Sequence, residues 1–211
     1  AVHMEKMDGN TQEMTVEVLP AEEQVIFTAD LGVDTKTYLE YQDGVYKTRW
    51  SEKDDIFLMA INSSENTYWK ESVDIIEGVG TSVAKFAASA NAKGDKYFAY
   101  YGINANFTAA GEFYPILQDY QYRGGNNIAD YYYPMYAEST TTSLSFKNLC
   151  SILKVDLLGT DYIDNIVFTP NDPTIPVAGR TKLVYNNGNP ELVFENDSTT
   201  RYQVCLYVQE T

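Results

Sequence analysis

"SLSFKNLCSILKVDLLG", residues 143–159, reads two ways. Phe146, Leu149, Cys150, Leu153 and Leu157 recur at helical spacing, which would make one apolar helix face. Leu153, Val155 and Leu157 also alternate with Lys154 and Asp156, the pattern of a half-buried strand. The surrounding chain decides between them. Short apolar runs recur every eight to twelve residues or so, separated by polar turns. "TVEVL" (15–19), "QVIFTADLG" (24–32), "DDIFLMAIN" (54–62), "TSVAKFAA" (81–88) and "KYFAYYG" (96–102) read as strands, as do "DNIVFTPNDP" (164–173) and "RYQVCLYVQ" (201–209). Asp43-Gly44 and Asn187-Gly188 sit between alternating runs, and such pairs favour two-residue hairpin turns. In this setting 143–159 reads as strand, a kink or single turn near Lys147–Ser151, then strand again from Ile152. The expected core includes Leu144, Phe146, Leu153, Val155, Leu157, Ile166 and Phe168.

The fold class is therefore all-β, a sandwich or barrel. Residues 103–136 carry less pattern. Ten of the chain's 18 tyrosines fall between Tyr97 and Tyr136, and the stretch reads as a long tyrosine-rich excursion from the sheet. Residues 1–13 are polar and read as a disordered or processed N-terminal segment, with one domain over 14–211.

With 44% hydrophobic and 21% charged residues, the chain has an ordinary globular composition. Its net charge of −15 repels phosphate backbones and anionic membrane surfaces, so nucleic acid is excluded as a partner. No apolar run reaches the roughly 18 residues of a membrane span. The single histidine is His3, which removes Ser-His-Asp, Cys-His and His-rich metal schemes. Glycine-rich phosphate loops and the nucleophile elbow are absent, and no cofactor is expected. Adjacent acids at Asp54-Asp55 and the pair Asp161/Asp164 read as solvated strand ends rather than a glycosidase pair, and the chain is read as non-enzymatic. "PNDP" (170–173) offers oxygens to calcium but lacks the EF-hand spacing. Cys150 and Cys205 read either as two small buried hydrophobes or as one candidate disulfide. Tyr131, Tyr132 and Tyr133 are candidate glycan contacts, because aromatic faces suit the apolar faces of sugar rings.

Several of these pieces, in this order, resemble the fimbrillin family of Bacteroidota. "IFTADLGVDTKTYLE" (26–40) is similar to the family's opening strand, gap and "TKT" element. "TRWSEKDDIFLMAIN" (48–62) resembles its tryptophan followed by an acidic-isoleucine strand, with Asp54-Asp55 where Gly-Asp is usual. "YPMYAE" (133–138), the opening stretch itself and "IDNIVFTPNDPTIPVAGR" (163–180) complete the match. The resemblance covers about Gln24 to Arg180, with 103–133 unaligned.

The resemblance implies a transthyretin-like β-sandwich, with the family's second domain absent from this chain. It implies export as a lipoprotein to the cell surface, outer membrane or fimbrium. Its partners are then other fimbrial subunits, with host or bacterial surface glycans or proteins as adhesive targets; a carbohydrate-binding surface lipoprotein is the alternative. The family's strand complementation implies an exchanged strand at Val25, Ile26, Phe27, Thr28 and Ala29. It also implies a processing cut after a basic residue beyond that strand, for which Lys36 is best placed. The family cut more often follows arginine, and Lys47 and Arg49 lie further on.

Overall fold

The structure is a computed structural model that describes residues 23–31, 38–42, 45–122, 134–151, 153, 155, 158, 159, 163–186 and 189–208. In chain order its strands are β1 (Val25–Asp30), β2 (Tyr38–Gln42), β3 (Val45–Arg49), β4 (Asp55–Asn62), β5 (Thr67–Glu77) and β6 (Val83–Ala88). They continue as β7 (Lys96–Tyr101), β8 (Asn104–Phe107), β9 (Phe113–Leu117), β10 (Tyr120–Tyr122), β11 (Met135–Ser139) and β12 (Ser143–Ser145). The last are β13 (Lys147–Asn148), β14 (Asn165–Phe168), β15 (Gly179–Asn186), β16 (Asn189–Phe194) and β17 (Val204–Tyr207). The described residues contain no helix, so the fold is all-β.

Eight strands form the principal sheet, in the order β12-β1-β6-β5-β4-β7-β11-β13. Its two ends, β12 and β13, are consecutive in the chain, with only Phe146 between them. One short segment therefore pairs with β1 on one side and β11 on the other. The Phe146 amide donates to the Asp30 carbonyl at 2.9 Å, and the Leu149 amide to the Pro134 carbonyl at 2.9 Å. The sheet is thus stitched to itself, giving a barrel-like sandwich around an apolar interior.

Strand periodicity explains what fills that interior. Phe27 and Ala29 from β1, Ile56, Leu58 and Ala60 from β4, and Ala84 and Phe86 from β6 point inward, with Tyr97, Ala99 and Tyr101 from β7. Trp50 lies at the centre. Its ring meets Phe86, Tyr101 and Phe146 edge-on at centroid distances of 5.1, 5.7 and 5.8 Å, the arrangement aromatic quadrupoles favour.

A second core lies on the outer face of the same sheet. Met59, Phe98, Tyr100 and Tyr136 project outward from β4, β7 and β11, and pack against Ile103, Ala105, Phe107, Phe113 and Leu183. The covering layer is a four-stranded sheet, β16-β15-β9-β8. Buried Thr181 ties it together, its hydroxyl donating to the Pro115 carbonyl at 2.9 Å. Strands β4 and β7 are thus buried on both faces, which is why their sequences are continuous apolar runs rather than alternating ones. A third sheet, β10-β17-β14, has three strands. The hairpins expected around 43–44 and 187–188 form: Gln42 pairs with Val45 and Asn186 with Asn189.

Two expectations need correction. Residues 103–122 are not an irregular excursion; they supply β8, β9 and β10, and their apolar side chains cover the outer face of β4 and β7. The expected strand at 15–19 and the remainder of the excursion, 123–133, lie outside the described residues. The opening stretch divides at its kink. Leu144 and Phe146 are buried as expected, and Ile166 and Phe168 are half-buried. Leu153 and Val155 lie in no strand and are 71% and 44% exposed, while Leu157 lies outside the described residues. The reason is pairing. The pairing with β11 ends at Met135, followed by the bond from the Leu149 amide to the Pro134 carbonyl, and Leu153 and Val155 lie beyond both.

This division is measurable. Phe146→Ala removes a ring from the closing seam and should destabilise the protein by about 3–5 kcal/mol. Leu153→Ala, at an exposed position, should change stability by no more than about 0.5 kcal/mol. Denaturant unfolding of the two variants checks both values, and equal losses would return Leu153 to the core.

Candidate functional site

Strand β1 occupies a slot with two walls. It pairs along its whole length with β6, antiparallel from Val25↔Ala88 to Asp30↔Val83. On its other side it pairs in parallel with β12, from Thr28↔Ser143 to Asp30↔Ser145. The Thr28 amide donates to the Thr142 carbonyl at 2.9 Å, and the Leu31 amide to the Ser82 carbonyl at 3.0 Å. Phe27 and Ala29 are fully buried, and Phe27 meets Tyr97 edge-on at 5.1 Å. Val25 is half-buried against the same core, whereas Ile26 faces out and Thr28 is half-buried. The slot therefore reads alternate side chains of one extended segment, and backbone groups on both walls hold it.

Lys36 lies outside the described residues, between β1 and the hairpin β2–β3. Lys47 and Arg49 are both in β3. Tyr131, Tyr132 and Tyr133 also lie outside the described residues. The candidate disulfide is not formed. Cys150 and Cys205 are free thiols, one just past β13 in the principal sheet, the other in β17 of the three-stranded sheet. Burial pushes the Cys150 thiol up to about 11, the behaviour of an inert buried thiol.

The acidic dipeptide Asp54-Asp55 separates into two roles. Asp54 is 5% exposed, so it is not the solvated strand end expected. Its carboxylate accepts from the Tyr101 hydroxyl at 2.8 Å and the Ser51 amide at 2.6 Å, capping the turn that leads into β4. Asp55, the first residue of β4, faces the opposite side, is exposed, and accepts from the Ser72 hydroxyl. The two carboxylates thus differ in setting: both Asp54 oxygens accept from fixed partners, whereas Asp55 is open to solvent. Asp172 of "PNDP" is likewise occupied, accepting from the Thr174 amide and hydroxyl at 2.9 and 2.7 Å.

Beside Asp55 the outer face opens into a cavity of about 360 Å³ between β4, β5 and the β7–β8 turn. Its apolar wall is the half-buried Phe57 ring, stacked on Tyr100 at 4.9 Å and 17°. The Tyr100 hydroxyl donates to the Ala105 carbonyl at 3.1 Å, which fixes that ring from behind. Gly102, at φ +67°, makes the turn that forms one rim, and Lys53 stands at another. Composition flagged tyrosines and acids as classes of interest. It could not single out Phe57, Asp55 and Ser72, because only the β4–β5 register, with Phe57 opposite Ser72, brings them together. The same holds for a ladder of tyrosines on the three-stranded sheet. There Tyr122 stacks on Tyr207 at 5.2 Å and meets Tyr120 at 5.7 Å.

Burial raises several phenols. Tyr100 is pushed up to about 12, chiefly by burial and then by the Asp55 charge. Tyr185 is also pushed up to about 12, by burial and by Glu138, to which its hydroxyl donates at 3.1 Å. Tyr136 is raised as well, chiefly by burial. Folding thus favours the neutral phenols. Their contribution to stability is complete below the ordinary tyrosine value of about 10 and is lost as pH rises through about 12. An alkaline titration followed by phenolate absorbance should show late-ionising tyrosines, with the denaturation midpoint falling over the same range. A titration in which every tyrosine ionises near its ordinary value would refute this.

Comparison of the chain with protein-family models, with curated proteins and with solved structures gives no match in any of the three.

Proposed function

We propose that this chain is a structural subunit of surface fimbriae, or a fimbrillin-like cell-surface adhesin, that assembles by β-strand complementation. On this reading the barrel-like sandwich is of the transthyretin-like, fimbrillin type. The protein is carried to the cell surface as a lipoprotein, and its partners are other fimbrial subunits. The role is one of assembly and adhesion rather than catalysis.

The observation that carries the proposal is the seat of β1. The strand lies near one end of the described chain and is accepted by β6 and β12 on its two sides. Without it, the closed sheet would open along a groove six residues long, or roughly 20 Å at strand rise. That groove would present two unpaired backbone edges and the pockets now filled by Phe27 and Ala29. An incoming strand from a second subunit would gain main-chain hydrogen bonds from the walls and specificity from the pockets. An empty groove of this kind is prone to unregulated pairing, which requires the resident strand to stay until the groove can be filled.

Limited trypsin digestion of the folded protein tests this, read by mass spectrometry and gel filtration. Cutting at Lys36 should release the β1 segment and be followed by higher oligomers, whereas Lys36→Gln should stay intact there and remain monomeric. A wild-type chain that resists cutting at Lys36, or is cut and stays monomeric, would overturn assembly by this route.

A further inference from the structure

We propose that the cavity walled by Phe57 and Asp55 is a binding site for a neutral hexopyranose, such as the terminal ring of a surface glycan. This goes beyond the assembly reading and does not depend on it, since no residue of β1 lines the cavity.

The argument begins with shape. A volume of about 360 Å³ lies at the small end of the range for ligand sites, so the cavity suits a small ligand rather than an extended one. Its chemistry is two-sided. One wall is an aromatic ring, Phe57, held in place by the stacked Tyr100 and by the bond from Tyr100 to Ala105. Such a ring meets the C–H face of a pyranose by apolar contact. Beside that ring, on the same face of β4 and on the facing strand β5, the lining is polar. Asp55 carries two acceptor oxygens with several lone-pair sites, of which the Ser72 hydroxyl uses one. Lys53 is also a lining residue, and its ammonium offers donors only. A ring hydroxyl is both donor and acceptor, so one sugar edge can donate to Asp55 and accept from Lys53.

Charge narrows the class. Asp55 faces Asp74 directly across β4 and β5, and like charges so placed repel. Asp54 is also among the lining residues, with its oxygens turned to Tyr101 and Ser51. One lysine against these acids leaves the site anionic, in a chain of net charge −15. Uronic acids, sialic acids and phosphates are therefore disfavoured, while hydroxyl groups donating to Asp55 relieve its exposed charge.

Saturation-transfer NMR on the intact chain tests the site. The probes are methyl α-glucopyranoside, methyl β-galactopyranoside and methyl α-mannopyranoside, with N-acetylneuraminic acid as an anionic control and choline as a cationic one. At least one neutral pyranoside should receive saturation at its ring C–H protons, and N-acetylneuraminic acid should not. Asp55→Ala and Lys53→Met change exposed side chains, and each should weaken that binding at least tenfold. Phe57→Leu keeps an apolar filler but removes the ring, and should abolish transfer to the C–H face. Four results would overturn the proposal: no transfer to any of the three pyranosides, transfer that both Asp55→Ala and Lys53→Met leave unchanged, equal binding of N-acetylneuraminic acid, or binding of choline alone.

Discussion

The backbone pairing of residues 143–149 holds the fold closed. This segment gives its first three residues to β1 and, after Phe146, its next two to β11. Phe146 sits at the changeover with its amide bonded to Asp30 and its ring against Trp50. Were the segment to pair on one side only, the eight-stranded sheet would be open. The interior faces of β1, β4, β6 and β7 would then lose their common enclosure. Three of the four largest fully buried side chains, Trp50, Phe27 and Phe86, lie in the volume that this seam shuts, and the fourth, Phe113, lies in the outer core. The indole nitrogen of Trp50 has no hydrogen-bond partner among the described residues. Leaving such a donor dry costs on the order of 1–3 kcal/mol. Three edge-on aromatic contacts, worth about 0.5–1.5 kcal/mol each beyond their burial, together with burial of the ring itself, offset that cost.

Closure also explains why the sheet has two useful surfaces. Its interior face is one core, and its exterior face along β4, β7 and β11 is the floor of another. The second core does not extend to the beginning of β4. There Phe57 is only half-covered, Asp55 and Ser72 face solvent, and the cavity opens. The proposed sugar site is thus the uncovered margin of the outer core. The proposed exchange strand is a stave of the inner one, between β6 and β12. Because the two use opposite faces and different strands, a subunit could exchange β1 without rebuilding the cavity wall. Adhesion and assembly would then be separable properties of one domain.

Local chemistry made some of this legible in the sequence. Asp43-Gly44 and Asn187-Gly188 announced their hairpins because φ-permissive turn residues act within a few positions. The apolar run in 24–32 marked a strand, and β1 forms there over Val25–Asp30. The unbroken apolar runs of β4 and β7 signalled burial without saying on how many faces.

Other features depended on which strands meet, and that is set by long-range pairing. Leu153 and Val155 alternate as well as any strand in the chain, yet alternation does not supply a partner edge, and both are exposed. Residues 103–122 looked irregular because their strands are short, and only the apolar outer face of β4 and β7 gives them a surface to cover. Asp54 and Asp55 are neighbours in sequence, but one is buried under Tyr101 and the other faces Ser72. Cys150 and Cys205, a candidate pair by count, lie apart, one just past β13 of the principal sheet and the other in β17 of the three-stranded sheet. Composition and local pattern therefore determined that this protein is all-β and where many of its strands and turns lie. Closure, burial on two faces and the gathering of Phe57, Asp55 and Ser72 into one cavity were decided by tertiary structure, because each needs residues distant in sequence to be brought into register.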